Sequence, residues 1–324
     1  MERLTKNSFA ILLFAAVSLG YGMAAAQTYP SKPVRVIVSY SPGGAADIIG
    51  RMTANELSAQ AGQQFVVDNR PGAGGTIGAE VAAHAKPDGY TLLVFTSALA
   101  ISPSLLKLRY DPVKDLAPIA KMAAGVSALV VHPSVPVNSL QGFLALARKN
   151  PGKIDFAASA VGSFTNLSIE LFRIMAGIDI MLVGYKASGA AMADLIGGQT
   201  QASISTLSAF MPYIRSGRLK LLGTGGAKRS VLFPDVPTIA EAGVPGYEAD
   251  AWFGMVAPSG TPKAIIDRLN NNLSSVLTSA ETKQRLLDLG AEADHKGPAE
   301  FAPFIVAEIA KWAQVIKQSD VKAR

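Results

Sequence analysis

The patterned part of the chain begins at Val34, where Val34-Arg35-Val36-Ile37-Val38-Ser39-Tyr40 concentrates β-branched residues as a buried strand does. The loop Ser41-Pro42-Gly43-Gly44 then leads into a segment with Ile48, Ile49 and Met52 at helical spacing. The alternation continues. Phe65-Val66-Val67-Asp68-Asn69 predicts a second strand, a short helix passes through Ala79 and Ala83, and Tyr90 to Thr96 predicts a third strand. Ser139 is placed to cap a helix whose Leu140, Phe143, Leu144 and Ala147 fall at i, i+3, i+4 and i+7, with Pro151-Gly152 ending it. Strand, helix, strand and helix follow over Ile154 to Ala157, Ser163 to Ala176, Ile180 to Val183 and Ala187 to Ile196. Trp252 to Ala257 returns as an apolar strand, and Pro262 opens a helix with Ile265, Ile266, Leu269, Leu273 and Val276 on one side. A last helix is predicted from Pro298 to Gln318.

Strands alternating with helices imply an α/β protein with mainly parallel sheets covered on both faces. Such sheets bind ligands in crevices beyond the carboxyl ends of their strands, so the loops that follow strands are where function is sought. Gly125 interrupts two apolar stretches near Ala124 to Val126 and marks a break between lobes. No repeat of short period, low-complexity tract or long charge block disturbs the pattern.

The residues before Val34 read as an export signal. Arg3 and Lys6 precede the apolar run Phe9 to Leu19, and Ala24-Ala25-Ala26 supplies the small residues of a cleavage site. The run is about half the roughly 20 residues a spanning helix needs, so a cleaved leader over 1–26 and a periplasmic location are expected. The 324 residues contain no cysteine, which excludes thiol catalysis and thiolate metal sites and leaves the fold to its core. His84, His132 and His295 are scattered, and no metal or cofactor is expected. A formal net charge of +6 without a dense basic run gives no indication of nucleic acid.

Gly43 and Gly44 sit between a strand and a helix, where absent side chains let a ligand approach backbone N–H groups at a helix N-terminus. A tight strand-to-helix turn would use the same glycines. A second loop of this kind, Ser159-Ala160-Val161-Gly162-Ser163-Phe164-Thr165-Asn166, also follows a strand and opens a helix. Its Ser163, Thr165 and Asn166 can hydrogen-bond a carboxylate, although Ser163 also suits a helix cap. Gly72 to Gly78 fails the dinucleotide fingerprint, because Gly72-x-Gly74 meets Ile77 at the sixth position. No nucleophile elbow, metal-spaced histidine pair or local acid, base and nucleophile set appears, so no catalytic residue is expected. Trp252-Phe253 offers a stacking surface or simply core, and Asp47 suits steadying its loop better than binding an anion.

Taken together, Tyr29-Pro30-Ser31-Lys32-Pro33, Ser41-Pro42-Gly43-Gly44 with Asp47, Asn69-Arg70-Pro71-Gly72-Ala73-Gly74-Gly75, Pro87-Asp88-Gly89-Tyr90-Thr91, Tyr110-Asp111-Pro112 and Pro234-Asp235-Val236-Pro237-Thr238 form a specific set. On these stretches the chain resembles the Bug receptors, solute-binding components of the tripartite tricarboxylate transporter family, over essentially its whole mature length. The resemblance implies a two-lobed periplasmic-binding-protein fold with a ligand cleft between lobes. Lobe 1 would take 27–127 and 252–324, and lobe 2 would take 128–251. It also implies a carboxylate held at Ser41, Pro42, Gly43, Gly44, Ala45, Ala46 and Asp47 on one side and Ser159, Val161, Gly162, Ser163, Phe164, Thr165 and Asn166 on the other. Ser97, Tyr185, Ser205 and Phe253 complete the expected set, with Lys186 and Trp252 nearby. The expected partners are the small carboxylate and a membrane permease of the tripartite type or a sensor protein, approached by a monomer.

Three departures from the family pattern bear on the ligand: Ala45 and Ala46 replace hydroxyl residues, Ser205 an acid, and Asn166 a histidine. Without an acid at Ser205 a ligand ammonium loses its partner, so amino acids are disfavoured. Val161, Phe164 and Phe253 then point to a carboxylate with an apolar body, an aromatic mono- or dicarboxylate first and a short aliphatic dicarboxylate next. An exported enzyme is the alternative of another class.

Overall fold

The computed structural model describes residues 29–319 and 321, so the leader read over 1–26 lies outside the described residues. Two sheets organise the chain. The first collects β1 (Val34–Val38), β2 (Phe65–Asn69), β3 (Thr91–Thr96), β4 (Leu116–Gly125), β10 (Ala251–Pro258) and β11 (Ala291–Lys296), in the order β11-β4-β10-β3-β1-β2. The second collects β5 (Ser127–Val131), β6 (Asp155–Ala158), β7 (Met181–Gly184), β8 (Ala202–Thr206) and β9 (Lys220–Thr224), in the order β7-β6-β8-β5-β9.

The two-lobed α/β architecture is as expected, but its sheets are mixed rather than mainly parallel. Among the described strands, β1 pairs in parallel with β2 and β3, and β6 with β7 and β8. The β10–β3, β10–β4, β11–β4, β5–β8 and β5–β9 pairs are antiparallel. The reason lies in the two passages between sheets. β4 runs into β5 across Val126 alone, and the chain later returns at Ala251, opposite Gly125, so β10 enters the first sheet running against β3 and β4. All eight positions of β10 are buried, so its apolar run carries no mark of direction.

Helices cover both sheets: α1 (Ala45–Ala61), α2 (Thr76–Ala83), α3 (Ala98–Leu105), α8 (Lys263–Thr278), α9 (Ala280–Asp288) and α10 (Pro298–Gln318) with the first, α4 (Leu140–Lys149), α5 (Phe164–Ala176), α6 (Ser188–Ile196) and α7 (Leu207–Arg215) with the second. Ser139 caps α4 as expected, its side chain accepting from Gly142 N at 3.1 Å. One hydrophobic cluster is shared by the lobes. It joins Ile37, Phe95 and Trp252 to Phe156, Phe172 and Tyr247, with Phe301 and Trp312 of α10 in its midst. No helix among the described residues is long and apolar enough to cross a membrane.

Candidate functional site

The two glycine loops are built alike. In the first, Gly43 adopts φ +85° and donates its N–H to Asp47 Oδ2 at 2.9 Å, four residues on. In the second, Gly162 adopts φ +80° and donates to Asn166 Oδ1 at 3.0 Å, again four residues on. In each case glycine supplies the left-handed turn and a buried side chain in the first turn of the helix holds it. Ser163 caps α5 by accepting from Asn166 N at 3.2 Å, and its Oγ lies 2.8 Å from Ser159 Oγ. Gly44 gives α1 no side-chain cap. The first amides of each helix lack an intrahelical acceptor, and aligned peptide dipoles make these ends favourable for negative charge.

Asp47 belongs to the scaffold of its loop. Its carboxylate is 3 % exposed and also accepts from Arg51 Nε at 3.0 Å and Asn69 Nδ2 at 2.8 Å. Burial pushes its pKa up, but hydrogen bonds from Arg51, Gly43 and Asn69 outweigh it and hold the carboxyl below its ordinary range. The charge is therefore spent inside the protein.

A cavity of about 590 Å³ lies between the lobes, within the range of small-molecule sites. One wall is Tyr40, Ala73, Gly74, Thr96, Ser97, Ala98, Ile101, Ser102, Leu105 and Leu106; the other is Ala160, Val161, Gly162, Ser163 and Phe164. No charged side chain is among them. Hydroxyls of Tyr40, Thr96, Ser97, Ser102 and Ser163 alternate with apolar groups, and Tyr40 Oη is tied to Thr96 Oγ1 at 2.6 Å. Burial raises the Tyr40 pKa, so this hydroxyl is a neutral donor or acceptor.

Of the expected residues, the structure brings Ser97, Val161, Gly162, Ser163 and Phe164 to this cavity. Ser41, Pro42, Gly43, Gly44 and Ala45 are exposed and Ala46 and Asp47 buried, none lining it. Ser159, Thr165 and Ser205 line a separate recess of about 40 Å³ in the second lobe with Ser188 and Ser203, and Thr165 Oγ1 lies 3.1 Å from Ser205 Oγ. Asn166 is buried on its glycine. Tyr185 donates to Asp194 Oδ2 at 2.7 Å, and burial together with that carboxylate pushes its hydroxyl up to about 12. Phe253 is 7 % exposed inside the first-lobe core with Met122 and Met255, so its ring supports the sheet and offers no stacking face. Apart from Ser97, the α3 wall and Tyr40 were missed, although Ser97 and Ala98 directly follow β3 and satisfy the same rule that singled out the glycine loops. Among the described residues no group of three or more His, Asp or Glu side chains could hold a metal ion.

Two α/β lobes joined by paired crossing strands, with a cavity between them walled by strand-to-helix loops of both, define a two-lobed solute-binding receptor. The family model described as Tripartite tricarboxylate transporter family receptor matches residues 49–321. The chain belongs to that family. It is 36 % identical over 324 residues, 99 % of each chain, to Protein BugT of Bordetella pertussis. The solved structure of R. palustris Rpa4515 with adipate is similar at 35 % identity and TM-score 0.75, covering 91 % of this chain and 100 % of that one. MatC from Rhodopseudomonas palustris with bound malate is similar at 31 % identity and TM-score 0.69, covering 89 % and 100 %. The family is one of solute-binding receptors, not enzymes.

Proposed function

We propose that this receptor works in the periplasm, capturing a small carboxylate with an apolar body between lobe 1 (27–127 and 252–324) and lobe 2 (128–251). It then presents that ligand, as a monomer, to a membrane permease of the tripartite tricarboxylate type. The observation that carries the reading is the uncharged cavity: hydroxyls, backbone amides and the α5 N-terminus answer a carboxylate, and Ile101, Leu105, Leu106, Val161 and Phe164 answer an apolar body. The glycine loop faces solvent over Ser41 to Ala45, the first amides of its helix are free of intrahelical acceptors, and it is the second anion contact proposed.

An amino-acid ligand fits poorly. No acidic side chain lines the cavity and the Ser205 recess beside it supplies hydroxyls only, so a buried ammonium would lack a carboxylate, which costs several kcal/mol. An aromatic mono- or dicarboxylate is the first expectation and an aliphatic dicarboxylate the second. The adipate and malate held by the two relatives support a carboxylate in general and a flexible apolar chain as one form of it.

Native mass spectrometry of the purified chain, then denaturation to release any bound molecule, tests the binding function. Thermal shift with phthalate, benzoate, adipate, malate and aspartate tests the class. Apolar-bodied acids are expected to raise the melting temperature most. Stabilisation by aspartate alone refutes the class, and product formation from a captured acid refutes the receptor reading. Capture of a signalling protein instead of a permease by the loaded receptor would assign a sensor role.

A further inference from the structure

The two tryptophans of the chain meet on one carboxylate. Glu308 of α10 is 6 % exposed, and its Oε2 accepts from Trp252 Nε1 at 2.9 Å and from Trp312 Nε1 at 3.1 Å. Its Oε1 pairs with Lys311, whose ammonium also donates to the Glu248 carbonyl oxygen at 3.1 Å. Trp252 and Trp312 are both fully buried.

Each tryptophan leads to a different wall of the ligand cavity, Trp312 through its ring and Trp252 through its backbone. Trp312 packs edge-on against Phe164, the first residue of α5 and a cavity-lining side chain, with ring centroids 6.1 Å apart at 73°. The carbonyl oxygen of Trp252 accepts the N–H of Ser97, on the opposite wall, at 3.0 Å. The Trp252 ring is itself seated in T-shaped contacts with Phe95, Phe301 and Phe304 at 5.3–5.7 Å. A carboxylate with two buried donors on one oxygen is a directional joint, because losing it strands two indole N–H groups away from water.

We propose that Glu308 is a positioning residue: by holding both indoles it couples the Phe164 loop of the second lobe to the Ser97 wall of the first, so that the two sides of the cavity keep one relative setting. The coupling takes the cavity as the ligand site and to that extent rests on the function proposed above. Its physical content does not need a ligand. Helix α10 packs against both α3 and α5, so the joint sits where movement of one lobe over the other must be accommodated.

Hydrogen exchange read by mass spectrometry on the ligand-free chain tests this directly. Glu308→Leu removes the acceptor that both indoles share and is expected to speed amide exchange across 159–168 and 96–105 about tenfold, the loss expected for a charged hydrogen bond to a buried partner. Glu308→Gln keeps an amide oxygen for the indoles and is expected to restore most of the protection. Acceleration confined to 298–318 and 251–258, with the Phe164 loop unchanged, overturns the proposal and leaves Glu308 a local packing residue. Should Glu308→Leu not fold, Trp312→Phe retains the aromatic face and deletes one donor; unchanged exchange at 159–168 in that variant overturns the proposal equally. Adipate, added as a probe, is expected to change the tryptophan emission of the parent chain and of Glu308→Gln. A parent chain that binds no carboxylate bears on the ligand reading alone, and the exchange comparison still decides this one.

Discussion

Gly43 and Gly162 hold matching places in the two loops, so alanine at each separates backbone strain from contact between lobes. Both adopt a left-handed conformation, at φ +85° and +80°, which costs an L-residue about 1–2 kcal/mol. At Gly43 a Cβ would meet nothing within 4 Å, whereas at Gly162 it would lie 2.7 Å from Leu105 Cδ1, across the cavity wall. Gly43→Ala therefore carries the strain alone. Gly162→Ala adds the displacement of a flexible side-chain end, worth about 1 kcal/mol for an off-rotamer leucine. Leu105→Ala removes the obstacle, at its own cost in lost packing. The double-mutant cycle of Gly162→Ala with Leu105→Ala is then expected to show favourable coupling of about 1 kcal/mol, and the cycle of Gly43→Ala with Leu105→Ala none. Urea unfolding midpoints of the single and double variants supply both cycles. Additivity within about 0.3 kcal/mol at Gly162 would refute the reasoning, because it would mean that the second-lobe loop does not rest on α3 in solution.

Asp250 gives a pH prediction. Burial raises its carboxyl to about 7, against a hydrogen bond from Ser127 N–H and the charge of Lys121, while Glu248 and Glu292 push it further up. The folded chain then binds more protons than the unfolded chain between about pH 4 and 7, so stability falls as pH rises through that window. Asp250→Asn is expected to flatten this slope and to stabilise the protein at pH 8 by up to a few kcal/mol; melting curves from pH 4.5 to 8.5 that match the parent would refute it. Asp47 has the opposite sign: its depressed pKa contributes stability that is present above its ordinary value and lost as pH falls through the lowered one. Asp47→Ala, which strands Arg51, Asn69 and Gly43 N–H, is expected to cost about 3 kcal/mol in urea unfolding, and Asp47→Asn less, since Asn166 holds Gly162 with an amide. Tyr110→Phe is expected to change stability by less than about 1 kcal/mol, because its hydroxyl is buried without a protein partner; a larger loss would reveal a bound group there.

The order of strands and helices was legible because burial writes itself into spacing: Leu140, Phe143, Leu144 and Ala147 mark one face of α4, and Pro298 to Gln318 bounds α10 as expected. The direction of β10 was not, since a strand buried on both faces is apolar whichever way it runs, and its neighbours β3 and β4 lie more than a hundred residues away. Phe253 shows the same limit at the level of one side chain. Next to Trp252 it reads as a ligand platform or as core, and only its burial in the cluster that holds Met122 and Met255 decides for core. The glycine loops were found through their residue types, whereas Thr96, Ala98, Ile101, Ser102, Leu105 and Leu106 became a cavity wall by position alone. A site without charged side chains leaves little chemistry in the sequence to find. Such a site has its anion-binding capacity in backbone amides and helix ends, which any residue can supply. What is informative is the side chain that fixes the backbone: Asp47 and Asn166, each four residues beyond a left-handed glycine, are the polar marks by which the paired loops are recognised.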